Sequence, residues 1–248
     1  MKDITMTRLN DNASSMFIWA RLMVEQLEAT ESDEALEEAL RTLPTGLSAL
    51  YDRIFTYLAH NFEQNDSVRD LGCFILCWVA HGARPLNLTE LSEARCIKSG
   101  EPALSTRKKP RSLASFRKLI TATCAPLVEV QDDGLVQLVH HTTKEYLLNN
   151  SERLFAICNP LKTFGVATNI GNDVNCILAH VCLSYLHLEH FELPLLGIQK
   201  CFALKSMSDI RLAYPFLEYV ARSWLFHVNH SKTPHTRASR ISFRSRMR

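Results

Sequence analysis

The chain has 248 residues, a formal net charge of +2, 46% hydrophobic residues and 22% charged residues. This length and apolar content suffice for one or two globular domains, and the near-neutral charge excludes a general attraction to nucleic acid or anionic membranes. No apolar run reaches the roughly 20 residues that a membrane-spanning helix requires, and residues 1–15 lack the apolar centre of a signal peptide.

Hydrophobic periodicity predicts a chain made mainly of helices. Helices are predicted over residues 15–29, 33–43, 47–62, 66–81, 87–94, 112–123, 142–149, 172–188 and 214–228. Ser32, Thr89 and Thr142 are the predicted N-caps of three of them, and Thr142 has capping-box spacing to Glu145. The helix over residues 66–81 is apolar on nearly all sides, which predicts that it is buried.

One stretch departs from the helical pattern. In "LVEVQDDGLVQLV", residues 127–139, two alternating apolar runs flank Asp133-Gly134, a strong hairpin signal. We predict that residues 127–130 pair antiparallel with residues 135–139, with Gly134 at positive φ. Two helices, a two-stranded wing and a following helix give residues 66–150 the element order of a winged helix.

The predicted fold class is mainly α, a helical bundle with a winged-helix subdomain carrying one β-hairpin. Composition changes at residues 98–111, where basic, Ser and Pro residues dominate and predict a surface loop. The tail carries six Lys or Arg residues and little apolar surface to bury. The predicted organisation is a flexible N-terminus (1–13), a helical segment (14–65), the winged helix (66–150), a C-terminal helical segment (151–230) and a basic disordered tail (231–248).

Sequence motifs for catalysis are missing. A P-loop needs a glycine-rich turn that ends in Gly-Lys-Ser/Thr, and none of the eight glycines is followed by lysine. Neither the G-x-S-x-G elbow of a hydrolase nor the H-E-x-x-H of a zinc site occurs. The sequence predicts no catalytic residue and no enzyme activity for this chain.

Histidine and cysteine spacing suggests no metal site. His180, His187, Glu189 and His190 are close in sequence, but their spacing matches no standard metal site, so a helix surface with partly packed imidazoles is favoured. None of the eight cysteines forms a Cys-x-x-Cys pair, and several lie in apolar helical patterns. Core packing in the reducing cytoplasm is therefore preferred to a disulfide framework.

The tryptophans and a basic cluster are interpreted mainly as structural residues. The three tryptophans, Trp19, Trp78 and Trp224, lie in apolar helical patterns, which favours core or domain-interface positions over ligand stacking. The basic cluster of Arg107, Lys108, Lys109 and Arg111 is typical of a solvated loop. The alternative for this cluster is a short nucleic-acid or nuclear-import patch.

Five motifs in order resemble one family. "SSMFIWARLMVEQL" (14–27) and "ALRTLPTGLSALYDRIF" (39–55) resemble the G-M-F-L-W-A-R-L and L-x-x-L-P-x-G-L-x-x-x-Y-x-R-I segments of fungal NACHT-type STAND NTPases. "ARPLNLTELSEA" (83–94) resembles their R-P-L-x-L-x-E-L-x-E-A segment. "CAPLVEVQDDGLVQLVHHTTKEYLL" (124–148) resembles their C-G-P-L-V-E-V hairpin followed by V-H-x-S-x-K-E-Y-L, and "YPFLEYVARSW" (214–224) their Y-P-x-L-x-Y-A-A-x-x-W helix. Ser15 and Ala125 stand where the family has glycine.

The resemblance implies a region C-terminal to a P-loop core in an NLR-like signalling protein. In that family the helical segment, winged helix and following helices precede ankyrin or WD40 repeats. The chain is thus expected to be a fragment, a truncated product or a family member without its P-loop domain. It is expected to act as a non-catalytic regulatory or scaffold part. Expected partners are a NACHT/P-loop domain or a repeat domain, with no membrane. Winged helices of this type are also named after a GPI inositol-deacylase. No nucleophile motif in this chain supports a hydrolase.

The resemblance also gives His140 a role. In STAND proteins a histidine at the end of the wing closes on the β-phosphate of ADP, and His140 occupies that position. The alternative is that His140 caps or packs the strand–helix corner. His141 is expected to be solvated and to point away, because successive residues of a strand alternate sides. No cofactor is expected for the chain in isolation, and ADP or ATP is expected only when a NACHT domain is supplied in trans.

A winged-helix nucleic-acid binder is the alternative function, although nucleic acid is the less favoured partner.

Overall fold

A computed structural model of the chain describes residues 24, 27, 28, 31–41, 46–166, 172–189 and 207–232. The N-terminal half contains α1 (Asp33–Arg41), α2 (Gly46–Gln64), α3 (Asp66–His81), β1 (Leu86–Asn87), α4 (Leu88–Ala94), a 3-10 turn (Thr106–Lys108) and α5 (Leu113–Cys124). The C-terminal half contains β2 (Val128–Val130), β3 (Leu135–Leu138), α6 (His141–Asn149), α7 (Ser151–Cys158), α8 (Pro160–Phe164), α9 (Val174–Leu186), α10 (Met207–Ala213) and α11 (Leu217–His230).

The predicted fold class is confirmed, since helices dominate and one small antiparallel sheet is present. Helix α3 lies at the centre, as its apolar composition predicts, and α2, α5, α7, α8 and α9 pack around it. Asn65 caps α3 through its side-chain oxygen, and Gly82 ends the helix. The predicted flexible N-terminus, most of the predicted helix 15–29 and most of the basic tail lie outside the described residues.

The sheet has three strands instead of the two predicted. The strand order is β1-β3-β2, and β1 adds to the hairpin through Leu86 opposite Val136 and Asn87 opposite Leu135. Strand β1 is only two residues long and runs directly into α4, so it carries no alternating pattern to detect. The order α3-β1-α4-α5-β2-β3 is that of a winged helix.

Two predicted caps are wrong. Asn87, not Thr89, caps α4 in a capping box with Glu90, and the Thr89 hydroxyl donates to the Asn87 side-chain oxygen at 2.6 Å. Helix α6 begins at His141 with His140 as N-cap, so Thr142 does not form the predicted capping box with Glu145. In both helices the N-cap lies two residues earlier than predicted, because an asparagine or a histidine supplies the acceptor.

The loop at residues 98–111 is fixed more firmly than the predicted surface loop. The Ser105 N–H donates to the Cys96 carbonyl at 2.8 Å, and the Glu189 N–H donates to the Pro102 carbonyl at 2.9 Å. The Lys108 ammonium forms an ion pair with Asp70 at 3.0 Å. Its basic residues therefore differ, since Lys108 is bound to the body, Lys98 forms an ion pair with Glu101, and the other three are exposed.

Aromatic side chains join the C-terminal helices to the winged helix. Trp78 of α3 is 1% exposed, and its ring lies 5.5 Å from those of Phe216 and Tyr219 in edge-on geometry. Trp224 is partly buried against the same core, whereas Trp19 lies outside the described residues. The seven described cysteines are free and buried, which confirms their prediction as small core residues.

Candidate functional site

The hairpin confirms its predicted turn and register. Gly134 has φ +89, its N–H donates to the Gln131 carbonyl at 2.9 Å, and Asp133 accepts from the Leu135 N–H at 3.0 Å. Val128, Glu129 and Val130 pair with Leu138, Gln137 and Val136. A further bond from the Val139 N–H to the Leu127 carbonyl, 3.1 Å, extends the ladder to the corner where α6 begins. The short wing therefore fixes the position of His140.

His140 occupies that corner with extended backbone, φ −156 and ψ 152, and caps α6. Its Nδ1 accepts from the Thr142 N–H at 3.2 Å and lies 2.8 Å from the Thr142 hydroxyl. A backbone N–H can only donate, so the hydrogen-bond network assigns the proton of the neutral imidazole to Nε2. No hydrogen bond among the described residues occupies this Nε2, which leaves one donor available.

A chain of hydroxyl groups connects His140 to α2. The Tyr51 hydroxyl lies 2.8 Å from the Thr142 hydroxyl, and the Thr143 hydroxyl donates to Tyr51 at 3.1 Å. Each group has one proton, so the consistent direction is Thr143 to Tyr51, Tyr51 to Thr142, and Thr142 to His140. Tyr51 is 2% exposed, and the imidazole is thus oriented by a side chain about ninety positions earlier in sequence.

His141 contradicts its prediction. Both histidines line the same cleft of about 230 Å³, and their ring centroids are 4.0 Å apart. His141 is the first residue of α6, so the side-to-side alternation of a strand no longer applies to it. The expectation that His141 is exposed to solvent is confirmed.

The cleft is basic at one end. Its other walls come from the segment between α3 and β1, from β3 and from the first turn of α6; they are Val79, Gly82, Ala83, Arg84, Pro85, Val136, Gln137, Leu138 and Lys144. Lys144 is exposed. The cleft thus combines an imidazole N–H, an ammonium and the N-terminus of α6, which are groups that attract an anion.

Arg84 also lines the cleft, but its guanidinium is held by the protein. Two of its nitrogens donate to the Glu90 carboxylate at 2.6 and 3.0 Å, and a third bond reaches the Pro85 carbonyl at 2.9 Å. The guanidinium lies over the Tyr219 ring, 5.1 Å from its centroid. The bond to Glu90 raises the pKa of Arg84. Arg84 therefore shapes the wall of the cleft and joins the segment before β1 to α4 and α11.

A second polar contact between α2 and α6 lies beside the hydroxyl chain. The Tyr146 hydroxyl donates to the Asp52 carboxylate at 2.7 Å, and Arg153 donates to the Tyr146 hydroxyl at 2.9 Å and forms an ion pair with Asp52. The Tyr146 bond and the Arg153 guanidinium lower the pKa of Asp52. Burial raises the pKa of Tyr146. These contacts hold α6 and α7 against α2 and so support the His140 corner.

The residues considered for metal binding do not form a metal site in the part of the chain that the structure describes. Among the described residues no group of three or more His, Cys, Asp or Glu side chains could hold a metal ion. His180 is partly buried, and burial lowers its pKa. His187 is hydrogen-bonded through Nδ1 to the Leu183 carbonyl at 2.8 Å, and His190 lies outside the described residues.

Within the described ranges no helix has the length and apolar character to cross a membrane.

Sequence reasoning missed Tyr51, Thr142 and Arg84 as residues of the site. From sequence, Tyr51 and Arg84 are only motif positions, and Thr142 is only a predicted cap. The available signal was the set of quoted motifs, because all three residues are motif positions that a packing pattern does not require.

Comparison with known proteins supports the winged helix. Residues 59–158, from the end of α2 to the end of α7, match the family described as the winged helix domain of GPI inositol-deacylase. These residues are thus similar to that domain, in agreement with the winged-helix order of their elements. The matched range is wider at both ends than the predicted 66–150.

A curated relative covers more of the chain. The azaphilone pigments biosynthesis cluster protein L of Monascus ruber is 26% identical over 215 residues, which are 83% of this chain and 39% of the relative. The chain thus spans 39% of that relative's length. No solved structure matches the chain.

Proposed function

We propose that the chain is a non-catalytic regulatory portion of a cytoplasmic NACHT-type STAND signalling protein. In this proposal the winged helix docks on a P-loop domain that holds ADP, and the cleft at His140 faces the nucleotide. The P-loop domain supplies the phosphate cradle, and this chain supplies one hydrogen-bond donor and adjacent positive charge.

The hydrogen-bond chain from Tyr51 to His140 is the observation that carries the proposal. Tyr51, Thr142 and His140 belong to two separate motifs of the resemblance, "YDRI" and "VHHTTKEYL", and they meet in one network. Asp52 and Tyr146, from the same two motifs, also meet, at 2.7 Å. A network that only stabilised α6 would not require a free imidazole N–H at the wall of an open cleft.

The arrangement suits a phosphate group. With Nδ1 occupied, the ring presents Nε2–H in a fixed orientation, and Lys144 on the next turn of α6 adds charge. One hydrogen bond to a charged oxygen contributes about 1.5–3 kcal/mol, which corresponds to about ten- to a hundredfold in affinity. His140 would thus favour the resting, ADP-bound arrangement of the partner.

Nucleic acid is a poorer partner for this winged helix. Arg117 lies on α5, the helix that would enter a DNA groove, but its guanidinium donates to the carbonyls of Val130 and Gln131 at 2.8 and 2.7 Å. The wing tip carries exposed Asp132 and Asp133, which would repel a phosphate backbone.

A hydrolase activity would need a nucleophile motif, and the purified chain is expected not to hydrolyse ATP or GTP.

Retention of ADP in trans tests the proposal. A NACHT domain from a full-length fungal family member is loaded with labelled ADP and mixed with the full chain, and ADP release is followed over time. The wild-type chain should slow the release. The His140→Ala chain should lose about ten- to a hundredfold in this effect, because the donor to the phosphate is gone.

A matched variant separates the cap from the phosphate contact. Asparagine is a good N-cap, so His140→Asn keeps an acceptor for the Thr142 N–H but removes the imidazole Nε2–H. We expect His140→Asn to fold as the wild type does and to lose ADP retention like His140→Ala. Full retention with His140→Asn would show that the histidine only caps α6 and would contradict the proposal.

A further inference from the structure

A second concave surface lies away from the His140 cleft and shares no lining residue with it. This groove has a volume of about 330 Å³ and lies between α4, the loop before α5 and the link between α10 and α11. Its lining residues are Thr89, Ser92, Glu93, Cys96, Leu104, Ser105, Thr106, Lys109, Leu113, Leu212, Ala213 and Pro215. The Glu93 carboxylate is turned inward and accepts from the Phe216 N–H at 2.7 Å.

Two leucines that line this groove are exposed to solvent. Leu212 is 83% exposed and Leu113 is 43% exposed, and both line the same concavity. Single exposed leucines are common on protein surfaces, but a pair that faces a groove offers apolar area that a partner can cover. Leu104, partly buried between the groove and the core, continues the apolar floor.

A basic segment borders the groove, since Lys109 lines it and Arg107 and Arg111 each lie within two residues of a lining residue. Between Glu101 and Glu129 the chain has six basic residues and no acidic one. Lys108 is paired with Asp70, and Arg117 is bound to the wing carbonyls, so these two are not available. The other basic residues near the groove, Arg107, Lys109 and Arg111, are exposed, and none has an ion pair closer than 4 Å within the described part of the chain.

We infer that this groove is a docking surface for an acidic protein segment with an apolar anchor residue. The apolar side chain would lie between Leu113 and Leu212, and its acidic neighbours would face Arg107, Lys109 and Arg111. Charge complementarity selects an acidic partner, and the leucines in the middle favour a protein over nucleic acid, which would leave them uncovered. The surface is distinct from the cleft proposed to face ADP.

Peptide binding tests the inference. The probe is a fluorescein-labelled, 16-residue amphipathic peptide of leucine and glutamate, and its binding to the full chain is followed by fluorescence anisotropy. Leu212→Ser should weaken binding about tenfold or more, since a buried leucine contributes a factor of about 10 to 100. The double variant Arg107→Glu/Arg111→Glu should weaken binding similarly, and a peptide with glutamine for glutamate should bind less tightly to the wild-type chain.

Matched controls exist for both kinds of change. Leu225→Ser alters a leucine of comparable exposure to Leu113 (44%), on α11 and outside the groove, and Arg41→Glu alters an exposed arginine on α1. Neither control should change the affinity for the peptide. All of these residues are exposed, so circular dichroism should report an unchanged fold in each variant.

Three results would overturn the inference. The first is no binding of the acidic peptide, or equal losses in the control variants. The second is tighter, strongly salt-dependent binding of a 20-base-pair duplex that Arg107→Glu/Arg111→Glu abolishes, which would make the rim a nucleic-acid contact. The third is a concentration-dependent dimer in sedimentation that Leu212→Ser abolishes, which would seat a second copy in the groove. None of these results depends on ADP retention by His140.

Discussion

The winged helix is attached to its neighbouring helices through two junctions of opposite chemistry. Toward α2 an apolar face is accompanied by a polar network of hydroxyl groups, a carboxylate and an arginine, with Tyr51 and Tyr146 as its central residues. Toward α9 and α11 the contacts are aromatic rings packed around Trp78. Hydrogen bonds are directional and fix the orientation of His140, whereas the aromatic junction contributes buried area and little directional control. We infer that the junction with α2 orients the His140 site and that the junction with α9 and α11 stabilises the fold.

Even the histidine of the aromatic junction has a structural role. His227 is fully buried; its Nε2 lies 2.8 Å from the Tyr219 hydroxyl and its Nδ1 lies 3.1 Å from the Asn175 side-chain oxygen. The Tyr219 hydroxyl also accepts from the Ala83 N–H at 3.1 Å. The neutral imidazole satisfies every member of this set, in contrast to His140, which keeps one nitrogen unused.

Removal of the central aromatic residue should have the largest effect. Trp78→Ala deletes a fully buried ring whose Nε1 has no hydrogen-bond partner, so the cost is one of packing alone. We expect the free energy of unfolding to fall by about 3–5 kcal/mol, as measured by urea denaturation. Leu225→Ala on the exposed side of α11 is the control and should change stability by less than about 0.5 kcal/mol. A loss below 1 kcal/mol for Trp78→Ala would contradict the stabilising role of this junction.

Acid should weaken the same junction. Burial lowers the pKa of His227 to about 3 and that of His81 to about 4, against about 6.5 in the unfolded chain. The unfolded chain therefore binds more protons between these values, so the contribution to stability is complete above pH 6.5 and decreases as the pH falls. For His227 alone the loss at pH 4.5 should be about 2–3 kcal/mol.

Denaturation of the wild-type chain and of His227→Gln between pH 7.5 and 4.5 measures this effect. The variant lacks the titrating group, so its stability should depend less steeply on pH than that of the wild type. Parallel pH profiles for the two proteins would show that His227 is not the group responsible.

Loss of the Tyr51 hydroxyl should have a smaller effect on stability and a specific effect on the site. Tyr51→Phe leaves the buried Thr143 hydroxyl without its acceptor, which should cost about 1–3 kcal/mol of unfolding free energy. The same change frees the Thr142 hydroxyl and should weaken ADP retention in trans. Tyr57→Phe, on the exposed side of α2, is the matched control and should change neither quantity. Normal ADP retention in Tyr51→Phe would separate this junction from the site.

Sequence periodicity predicted the aromatic junction better than the polar one. Trp78 lies in a helix that is apolar on nearly all sides, so its burial follows from composition. The wing was equally predictable, because Asp133-Gly134 and the flanking alternation specify both turn and register. In contrast, β1 is too short to show a period, and the bond between Tyr51 and Thr142 joins positions whose proximity only tertiary packing creates. The side to which His141 points was predicted wrongly, because one residue decided whether strand or helix geometry applied.

The tautomer of His140 and its response to nucleotide test the central claim most directly. Long-range ¹H–¹⁵N NMR spectra of the chain with ¹⁵N-labelled histidine report which ring nitrogen carries the proton. We predict the Nε2–H tautomer for the free chain, and a shift of Nε2 but little change at Nδ1 when an ADP-loaded NACHT domain is added. An Nδ1–H tautomer, or a spectrum of His140 that does not change on binding, would contradict a direct contact between His140 and the phosphate.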